Sequence, residues 1–419
     1  MRKLIVFSIC TILFVFGLNT ILQAKTITIT LWENEWEVKN NARAEQIKAF
    51  EKAYPDIHVV YQHWPWATWW QKLTASLAAG TGPDLLGMGA WSDKYGHGII
   101  PIPESFLKEI DWEDWILPAR LGATLKGKVY YIPYSTSDFM LFYNTDLFEK
   151  AGLDPNKPPT TWAELYDYAK KLTVYKNNRL VQSGFGVHCD QIPWIWQEFY
   201  VELGGHLIST DGKTAMFNNA AGIRSLNYIL SFLKDGINSM EFPEAYQGFV
   251  KNVVGMVIAG TWFGGYLDYY YPSIHYGTCM LPIPEGAERV YMYDNSWGIG
   301  ITKAAEKRGP EVLDACLKFL KFTNTKEGHL QMIGIDGPAV RYSLLKDPRT
   351  LEWLKGYSKM QPAFETVGYL REVGKRFEPS AYAREIESYF QDILYERITP
   401  EEGLKKLQTD LQKYLNEER

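Results

Sequence analysis

The chain has 419 residues, which is enough for two domains that each bury a core of their own. Its formal net charge is −5, without runs of Lys or Arg, which excludes nucleic acid as the main partner. Aromatic residues are abundant, with 15 Trp, 27 Tyr and 20 Phe; such rings fill cores, but Trp is seldom fully buried.

The first predicted element is a secretory signal peptide over residues 1–24. A basic start precedes an apolar run over 4–18, and Ala24 is a small residue before polar sequence. The run is short for a membrane helix, which needs about 20 residues, so an uncleaved anchor is the weaker alternative. Cys10 lies inside the apolar run without the small preceding residue of a lipoprotein signal. We therefore expect a free, unlipidated protein in the periplasm.

The remaining cysteines and the short sequence signatures indicate no cofactor. Cys189, Cys279 and Cys316 fit no metal motif, and their odd number leaves at least one thiol free. Buried or unpaired thiols are expected, and a Cys189–Cys279 bridge stays open. The chain has no glycine-rich phosphate loop, dinucleotide fingerprint, zinc spacing or nucleophile elbow. We expect neither a cofactor nor a metal.

The next elements alternate between strands and helices. Alternation of polar and apolar residues predicts a strand over 26–31, and helical periodicity predicts a helix over 40–54. The same criteria give a strand over 57–61, a helix over 66–79 and a short strand at 85–86. This order predicts an α/β fold with a mostly parallel sheet covered by helices.

Helix starts are well marked in the second half of the chain. Thr161 and Glu164 form a capping box that opens a helix through Leu172, and Thr399 opens the last helix in the same way. Periodicity predicts further helices over 193–203, 220–234, 310–322 and 382–395, which makes the C-terminal 80 residues nearly all helical. Since no Ser- or Pro-rich linker separates two domains, we expect the chain to cross between them more than once.

Four segments carry a resemblance to a known family. They read L-A-A-G-T-G-P-D-L-L (77–86), Y-I-P-Y-S-T-S-D-F-M-L-F-Y-N-T-D-L-F-E-K-A-G-L (131–153), P-P-T-T-W-A-E-L (158–165) and V-V-G-M-V-I-A-G-T-W (253–262). In this order and at these separations they resemble the extracellular solute-binding proteins of carbohydrate ABC transporters, the maltose-binding-protein-like family. The resemblance covers nearly the whole mature chain and is specific for the family, though not for the ligand.

The resemblance implies a two-lobed periplasmic-binding-protein fold with a three-segment hinge and a helical C-terminus. The hinge segments would fall near 133–138, 278–284 and 337–343. The N-terminal lobe would then comprise 25–134 plus 283–338, and the C-terminal lobe 135–282 plus 339–419. Such a protein, expected as a monomer, binds a mono- or oligosaccharide with high affinity between its lobes and delivers it to the permease subunits of an ABC importer.

Candidate ligand-binding residues follow from strand ends and from the resemblance. Ligands of open α/β sheets bind beyond the carboxyl ends of strands. That rule assigns to the first lobe Asn34, Glu35, Trp36, Trp64, Trp66, Trp91 and Asp93. The resemblance adds Ser137, Asp138, Trp194, Trp196, Trp262, Asn295, Trp297 and Arg341. Trp262 matches a tryptophan that stacks on sugar in the family, whereas Arg341 is either a ligand contact or a hinge ion pair.

This set of residues suits a sugar. An aromatic ring packs on the C–H face of a pyranose, and carboxylates and amides pair with its hydroxyls. In H-W-P-W-A-T-W-W (63–70), Trp64 and Trp66 are predicted to meet the ligand, while Trp69 and Trp70 fall on the core face of a helix. A solvated acidic turn is the alternative for 33–37.

Two other functions stay open from the sequence. The first is a secreted glycosidase that uses two carboxylates among Glu33, Glu35, Asp93 and Asp138, since such pairs leave no short signature. The second is a binding protein of the same fold for a polyol or a glycerol phosphate. A phosphate ligand would favour Arg and Lys in the cleft, whereas the assigned positions are mostly Trp and acids. The sequence therefore favours a neutral polyhydroxylated ligand.

Overall fold

The computed structural model describes residues 26–89, 98–125, 127–136, 138–187, 191–209, 213–292, 296–335, 337–371 and 383–417. Within these residues the strands are β1 (Ile27–Asn34), β2 (Ile57–Trp64), β3 (Leu85–Met88), β4 (Ile99–Ile100), β5 (Thr124–Leu125), β6 (Lys128–Val129), β7 (Tyr131–Thr136), β8 (Phe139–Asn144), β9 (Val174–Lys176), β10 (Arg179–Phe185), β11 (Val254–Gly260), β12 (Tyr276–Cys279), β13 (Tyr291–Met292), β14 (Ser296–Thr302) and β15 (Leu370–Arg371).

Helices cover both sheets. They are α1 (Glu37–Ala53), α2 (Trp66–Ala79), α3 (Glu104–Glu109), α4 (Leu117–Gly122), α5 (Thr145–Lys150), α6 (Trp162–Leu172), α7 (Ile192–Glu202), α8 (Ala220–Lys234), α9 (Ala245–Val250), α10 (Trp262–Tyr270), α11 (Lys303–Arg308), α12 (Pro310–Thr323), α13 (Lys326–Leu330), α14 (Tyr342–Leu345), α15 (Pro348–Gly356), α16 (Gln361–Thr366), α17 (Ala383–Leu394) and α18 (Pro400–Glu417). Within the described chain, none of these helices combines the length and apolar character that a membrane crossing requires.

The first lobe is built on a sheet in the order β2-β1-β3-β14-β4, with β7 also paired to β14. β1 is parallel to both β2 and β3, as the alternation of strands and helices predicts. β14 runs antiparallel to β3, β4 and β7, so the sheet is mixed rather than mostly parallel. The strands of the second sheet separate β14 from β7 in the sequence. The local sequence pattern therefore could not show that β14 pairs with β3, β4 and β7.

The second lobe is built on a sheet in the order β12-β8-β11-β10-β9. Only β10 and β11 are parallel, and the other neighbours are antiparallel. Two apolar clusters cover its faces, and one of them gathers helices α6, α7, α8, α17 and α18. The predicted capping boxes at Thr161 and Thr399 are both present, since each threonine side chain and the Glu three residues later exchange hydrogen bonds with the backbone.

The chain passes between the two sheets three times. β7 belongs to the first sheet and β8 to the second, so the first passage follows Thr136, which lies in the predicted segment 133–138. A Cβ added to Gly337 would lie 1.8 Å from the carbonyl oxygen of Thr136, so a side chain would not fit there. The chain just before the first passage, at Thr136, therefore packs closely against Gly337, which precedes the third passage.

The other two passages come later than the sequence predicted. Ile283 exchanges backbone hydrogen bonds with Thr160 and Trp162 of the second lobe, and Val290 packs on the core of that lobe. Val340 belongs to the core of the first lobe, whereas Leu354 packs in the second. Residues 283–290 and 339–345 thus lie in the lobes opposite to those predicted. Distant backbone pairing and packing decide these boundaries, and motifs mark them only approximately.

The two thiols in the described residues are free. Cys316 is buried in the first core and Cys279 is partly buried beside the second. Burial raises the pKa of the Cys279 thiol to about 12, because the thiolate would lose its hydration. Cys189 lies outside the described residues. Free, protonated thiols agree with the expectation of unpaired cysteines.

Candidate functional site

The first wall of the candidate site forms where β1 and β2 end side by side. The strands are parallel, and their last residues, Asn34 and Trp64, are partners in the sheet. The backbone N–H of Glu35 donates to the carbonyl of Trp64 at 2.6 Å. The ring centroids of Trp32 and Trp64 lie 4.5 Å apart. The structure thus brings together the polar turn after β1 and the tryptophan at the end of β2, as strand ends predict.

Polar side chains line this wall. The amide oxygen of Asn34 accepts a hydrogen bond of 2.7 Å from Nζ of Lys39. The exposed carboxylate of Glu35 lies 3.6 Å from Nδ1 of His63. Nζ of Lys72 lies 4.9 Å from the ring centroid of Trp64, over its face. These groups include donors and acceptors for hydroxyl groups, at the edge of an aromatic surface.

Three tryptophans extend the first wall toward the hinge. Trp66, the first residue of α2, keeps 46% of its surface exposed and meets Trp70 edge-on at 5.2 Å. The ring of Trp297 in β14 lies 6.0 Å from that of Trp66. Trp69 is fully buried in the core, as predicted, whereas Trp70 is only partly buried. Trp70 packs against the same core, as predicted, and its ring also adjoins the exposed ring of Trp66.

The second wall begins at Trp262, which follows β11 and opens α10. Its ring meets Tyr246 edge-on at 5.6 Å and Tyr266 at 6.2 Å, and it remains partly exposed. Trp194, near the start of α7, is also partly exposed and lies 6.3 Å from Phe139. Both tryptophans thus keep ring surface available in the positions that the resemblance assigned to stacking.

Trp196 is a correction to the predicted site. Its side chain is fully buried, and its indole N–H donates to the carbonyl of Gly222 at 3.0 Å. Its ring stacks on Tyr200 and packs against Phe217 and Phe390 in the core of the second lobe. Residues two positions apart on a helix point to opposite sides, so Trp194 and Trp196 cannot both face one cleft.

Arg341 forms the ion pair that was the alternative to a ligand contact. Its Nε donates to the Asp114 carboxylate at 2.6 Å, and its guanidinium lies over the ring of Trp115 at 4.3 Å. It also donates to the carbonyls of Asn324 and Ile110. Burial works against the charge of Asp114, but hydrogen bonds from Ser343 and Arg341 hold the pKa of Asp114 below its usual value. Arg341 is therefore occupied within the first lobe.

Two of the acids proposed for a glycosidase already pair with other side chains of the protein. Glu33 is buried and pairs with Arg43 at 2.9 Å. Burial alone would raise the pKa of Glu33, but the charge and hydrogen bond of Arg43 outweigh burial and lower it. Asp138 is nearly buried and accepts a hydrogen bond of 2.7 Å from the Thr366 hydroxyl. Glu33, which faces Arg43 inside the lobe, is thereby excluded as a catalytic acid.

Four predicted site residues, Trp91, Asp93, Ser137 and Asn295, lie outside the described residues. Sequence reasoning missed Tyr246, whose ring adjoins Trp262 and whose hydroxyl approaches the carbonyl of Ile258 at 3.4 Å. Tyr246 lies on the short helix α9, which precedes β11 rather than following a strand end, so the strand-end rule did not mark it. Among the described side chains, no group of three His, Cys, Asp or Glu could hold a metal ion.

Trp36 connects the two walls. A Cβ added to Gly265 in α10 would lie 3.3 Å from Cζ2 of Trp36. The turn after β1 therefore approaches the helix that Trp262 opens. The two lobes therefore contact each other between the end of the first strand and the helix that begins at Trp262.

Comparison with known families agrees with this architecture. The family model of bacterial extracellular solute-binding proteins matches residues 36–329. A binding protein of Brucella abortus (strain 2308) is 28% identical over 268 residues, which cover 61% of this chain and 64% of that protein. The alignment thus spans less than two thirds of that relative. The sn-glycerol-3-phosphate-binding periplasmic protein UgpB of Agrobacterium fabrum is 32% identical over 170 residues, covering 38% of this chain and 37% of that protein.

A solved structure matches over nearly the whole length. An ABC transporter solute-binding protein from Thermotoga lettingae TMO, bound with α-D-tagatose, superposes with a TM-score of 0.79 at 25% identity. The match covers 93% of this chain and 100% of that one. The predicted two-lobed fold and the predicted family are both confirmed.

Proposed function

This chain belongs to the family of bacterial extracellular solute-binding proteins, and from that premise we propose that it binds a carbohydrate between its lobes and delivers it to an ABC importer. Like its family, the chain is a binding protein rather than an enzyme. The family description places it outside the cytoplasm, in the periplasm or beyond. A cleaved signal over 1–24, a free unlipidated monomer and permease subunits as partners complete the proposal.

One observation supports the proposal: each lobe carries partly exposed tryptophans at positions predicted to contact the ligand. Trp66 and Trp297 stand on the first lobe, and Trp194 and Trp262 stand on the second. A sugar ring offers apolar C–H faces, so rings on two sides can cover both faces when the lobes close. Each stacked ring contributes on the order of 1 kcal/mol beyond its buried area.

Polar groups beside these rings supply the second requirement. Hydroxyls that are buried without partners cost about 1–3 kcal/mol each, so a sugar site needs donors and acceptors near its rings. Asn34 and Glu35 lie next to Trp64, and Asp138 lies at the first passage between the lobes. Asp138 already accepts from Thr366, so it would offer a ligand its remaining lone pairs.

A polyol or glycerol phosphate is the second candidate ligand, because UgpB of Agrobacterium fabrum is among the similar proteins. Of the three cations named beside the described site, Lys72 lies over the Trp64 ring and the other two are engaged by other side chains. Lys39 donates to Asn34, and Arg341 is held by Asp114. A phosphate prefers free Arg and Lys side chains, and neither of these two cations is free.

A thermal-shift screen tests the proposal. The panel contains mono-, di- and oligosaccharides, polyols and sn-glycerol 3-phosphate, and hits are confirmed by calorimetric titration. A ligand at 100 times its Kd should stabilise the protein by about 2.7 kcal/mol. A hit for sn-glycerol 3-phosphate alone would replace the sugar by the second candidate. Release of smaller sugars during incubation with an oligosaccharide would contradict a binding-only function.

A further inference from the structure

We propose that Lys39 is a positioning residue of the ligand site, which holds the side-chain amide of Asn34 with its oxygen toward Lys39 and leaves its N–H donors to the ligand. This role rests on the proposed sugar-binding function, since Asn34 is one of the candidate contacts. It adds the kind of hydrogen bond that Asn34 makes, and its first test needs no ligand.

Helix α1 places two cations on the face that packs into the first lobe. Lys39 and Arg43 are each only 1% exposed. They stand one turn apart, so they share a face of the helix with the buried Ile47 and Phe50. Lys and Arg are almost never fully buried unless they are paired. Two cations on a face that usually holds apolar side chains therefore require partners.

The last two residues of β1 are partners of these cations. The Glu33 carboxylate accepts from Nε of Arg43 at 2.9 Å, and Oδ1 of Asn34 accepts from Nζ of Lys39 at 2.7 Å. Burial alone would raise the pKa of Glu33, but the charge of Arg43 and then that of Lys39 lower it, so this carboxylate also balances the charge of Lys39. The first turns of α1 are thereby tied to the carboxyl end of β1.

The ammonium group of Lys39 determines which way the Asn34 amide faces. An ammonium group only donates hydrogen bonds, whereas an amide has an accepting oxygen at one end and a donating NH2 group at the other. The Asn34 atom that faces Nζ must therefore be the oxygen, because the flipped amide would set two donors against each other. Hydrogen bonds to charged groups are roughly twice as strong as neutral ones, which favours one fixed orientation.

The NH2 group of Asn34 is left as a donor. Within the parts of the chain that the structure describes, this group makes no hydrogen bond, and the Asn34 side chain is partly exposed. The carboxylate of the next residue, Glu35, is 44% exposed and can only accept. The turn after β1 thus presents a donor next to an acceptor. A sugar can match both, because each of its hydroxyl groups accepts and donates.

Nuclear magnetic resonance of the full ligand-free chain tests the orientation. Protein labelled with ¹⁵N at asparagine gives side-chain N–H signals, and their loss in Asn34→Asp identifies those of Asn34. In wild type we expect an order parameter near ~0.85 for the Asn34 amide, and one below ~0.6 for the exposed Asn41 on the same helix. An Asn34 amide as mobile as that of Asn41 would overturn the proposal.

Two identical substitutions on α1 provide the matched comparison. Lys39 is buried, whereas the side chain of Lys48 is 80% exposed. We expect Lys39→Met to lower the order parameter of the Asn34 amide toward that of Asn41, and Lys48→Met to leave it unchanged. A rigid Asn34 amide in folded Lys39→Met would refute the role of Lys39. If Lys39→Met does not fold, the wild-type comparison of Asn34 with Asn41 still decides whether the amide is held.

A double-mutant cycle connects the orientation to binding. Affinity is measured by calorimetric titration with the strongest sugar from the thermal-shift panel. We expect Lys39→Met to weaken binding about fivefold, the effect of roughly one net hydrogen bond, and to add nothing in an Asn34→Ala background, because Lys39 acts through Asn34. Equal losses in both backgrounds would contradict a positioning role. A rigid Asn34 amide in a protein that binds no sugar would overturn the proposed function alone.

Discussion

The helices that begin at Trp66 in the first lobe and at Ile192 in the second each carry tryptophans near their start. The two helices differ in which of these tryptophans are exposed and which are buried. In α2, Trp66 is exposed and Trp69 is buried, while Trp70 lies between these extremes beside Trp66. In α7, Trp194 is partly exposed and Trp196 is fully buried.

The difference follows from helical spacing. Residues four apart share a face of a helix, so Trp66 and Trp70 form one aromatic surface. Residues two apart lie about 200° apart around the axis, so only one of Trp194 and Trp196 can face the ligand. A tryptophan-rich segment at a cleft is therefore best divided by helical position before any ring is assigned to the ligand.

Trp196→Ala should have the largest effect on stability. The change removes a fully buried ring that packs on three other rings, and we expect the free energy of unfolding to fall by about 3–5 kcal/mol. Urea denaturation followed by circular dichroism measures the loss. A change below about 1 kcal/mol would mean that Trp196 is not the core residue that its burial indicates.

Trp262→Ala should separate binding from folding in the second lobe. The ring is partly exposed and opens α10, so we expect about tenfold weaker sugar binding, the equivalent of 1.4 kcal/mol. Calorimetric titration with the best sugar from the screen measures the affinity, and urea denaturation checks the fold. Unchanged affinity in a folded variant would remove Trp262 from the site.

Trp66→Ala provides the matched change in the first lobe. Since nearly half of the ring is exposed, we expect the free energy of unfolding to change by less than about 1 kcal/mol. Sugar binding should weaken by about fivefold if the ring stacks on the ligand. A variant that loses stability like Trp196→Ala would erase the contrast between the two helices.

The two lobes also differ in how a buried glutamate makes their stability depend on pH. Glu33 in the first lobe pairs with Arg43, and its lowered pKa means that its stabilisation is present above pH 4.5 and is lost as the pH falls below that value. Glu202 in the second lobe accepts from the Trp162 indole at 2.9 Å. Burial raises the pKa of Glu202, so its carboxylate form opposes folding as the pH rises through the raised value.

Matched Glu→Gln variants should therefore shift stability in opposite directions. At pH 7 we expect Glu33→Gln to lower the urea midpoint, because Arg43 loses its partner, and Glu202→Gln to raise it slightly. Both differences from wild type should shrink toward pH 4.5 and below, where wild-type carboxyl groups take up protons. A lower midpoint for Glu202→Gln at pH 7 would contradict a carboxylate that opposes folding.

Local features of the fold were predictable because they depend on neighbouring residues. The capping boxes at Thr161 and Thr399 and the bounds of α2 and α8 follow from short-range chemistry and match the structure. The boundaries near 283 and 339 were wrong, because backbone pairing between distant segments decides them.

In the candidate site, too, the residues marked by local sequence were predictable, and those that depend on distant contacts were not. Strand ends located Asn34, Trp64 and Trp66, since the carboxyl ends of parallel strands meet at one edge. The burial of Trp196 and the pairing of Arg341 with Asp114 depend on side chains far away in sequence, so the primary pattern did not reveal them. The ligand contacts themselves stay predictions until a bound structure or the variants above test them.

The position of β14 affects the order in which the chain can fold during synthesis. The first sheet needs this strand between β3 and β7, yet it is made only after the strands of the second sheet, about 160 residues after β7. At ~5–20 residues per second, the nascent chain carries an incomplete sheet for about 10–30 s. A protein predicted to leave the cytoplasm thereby remains without its finished first lobe for much of its translation, which is the form that a secretion channel can thread.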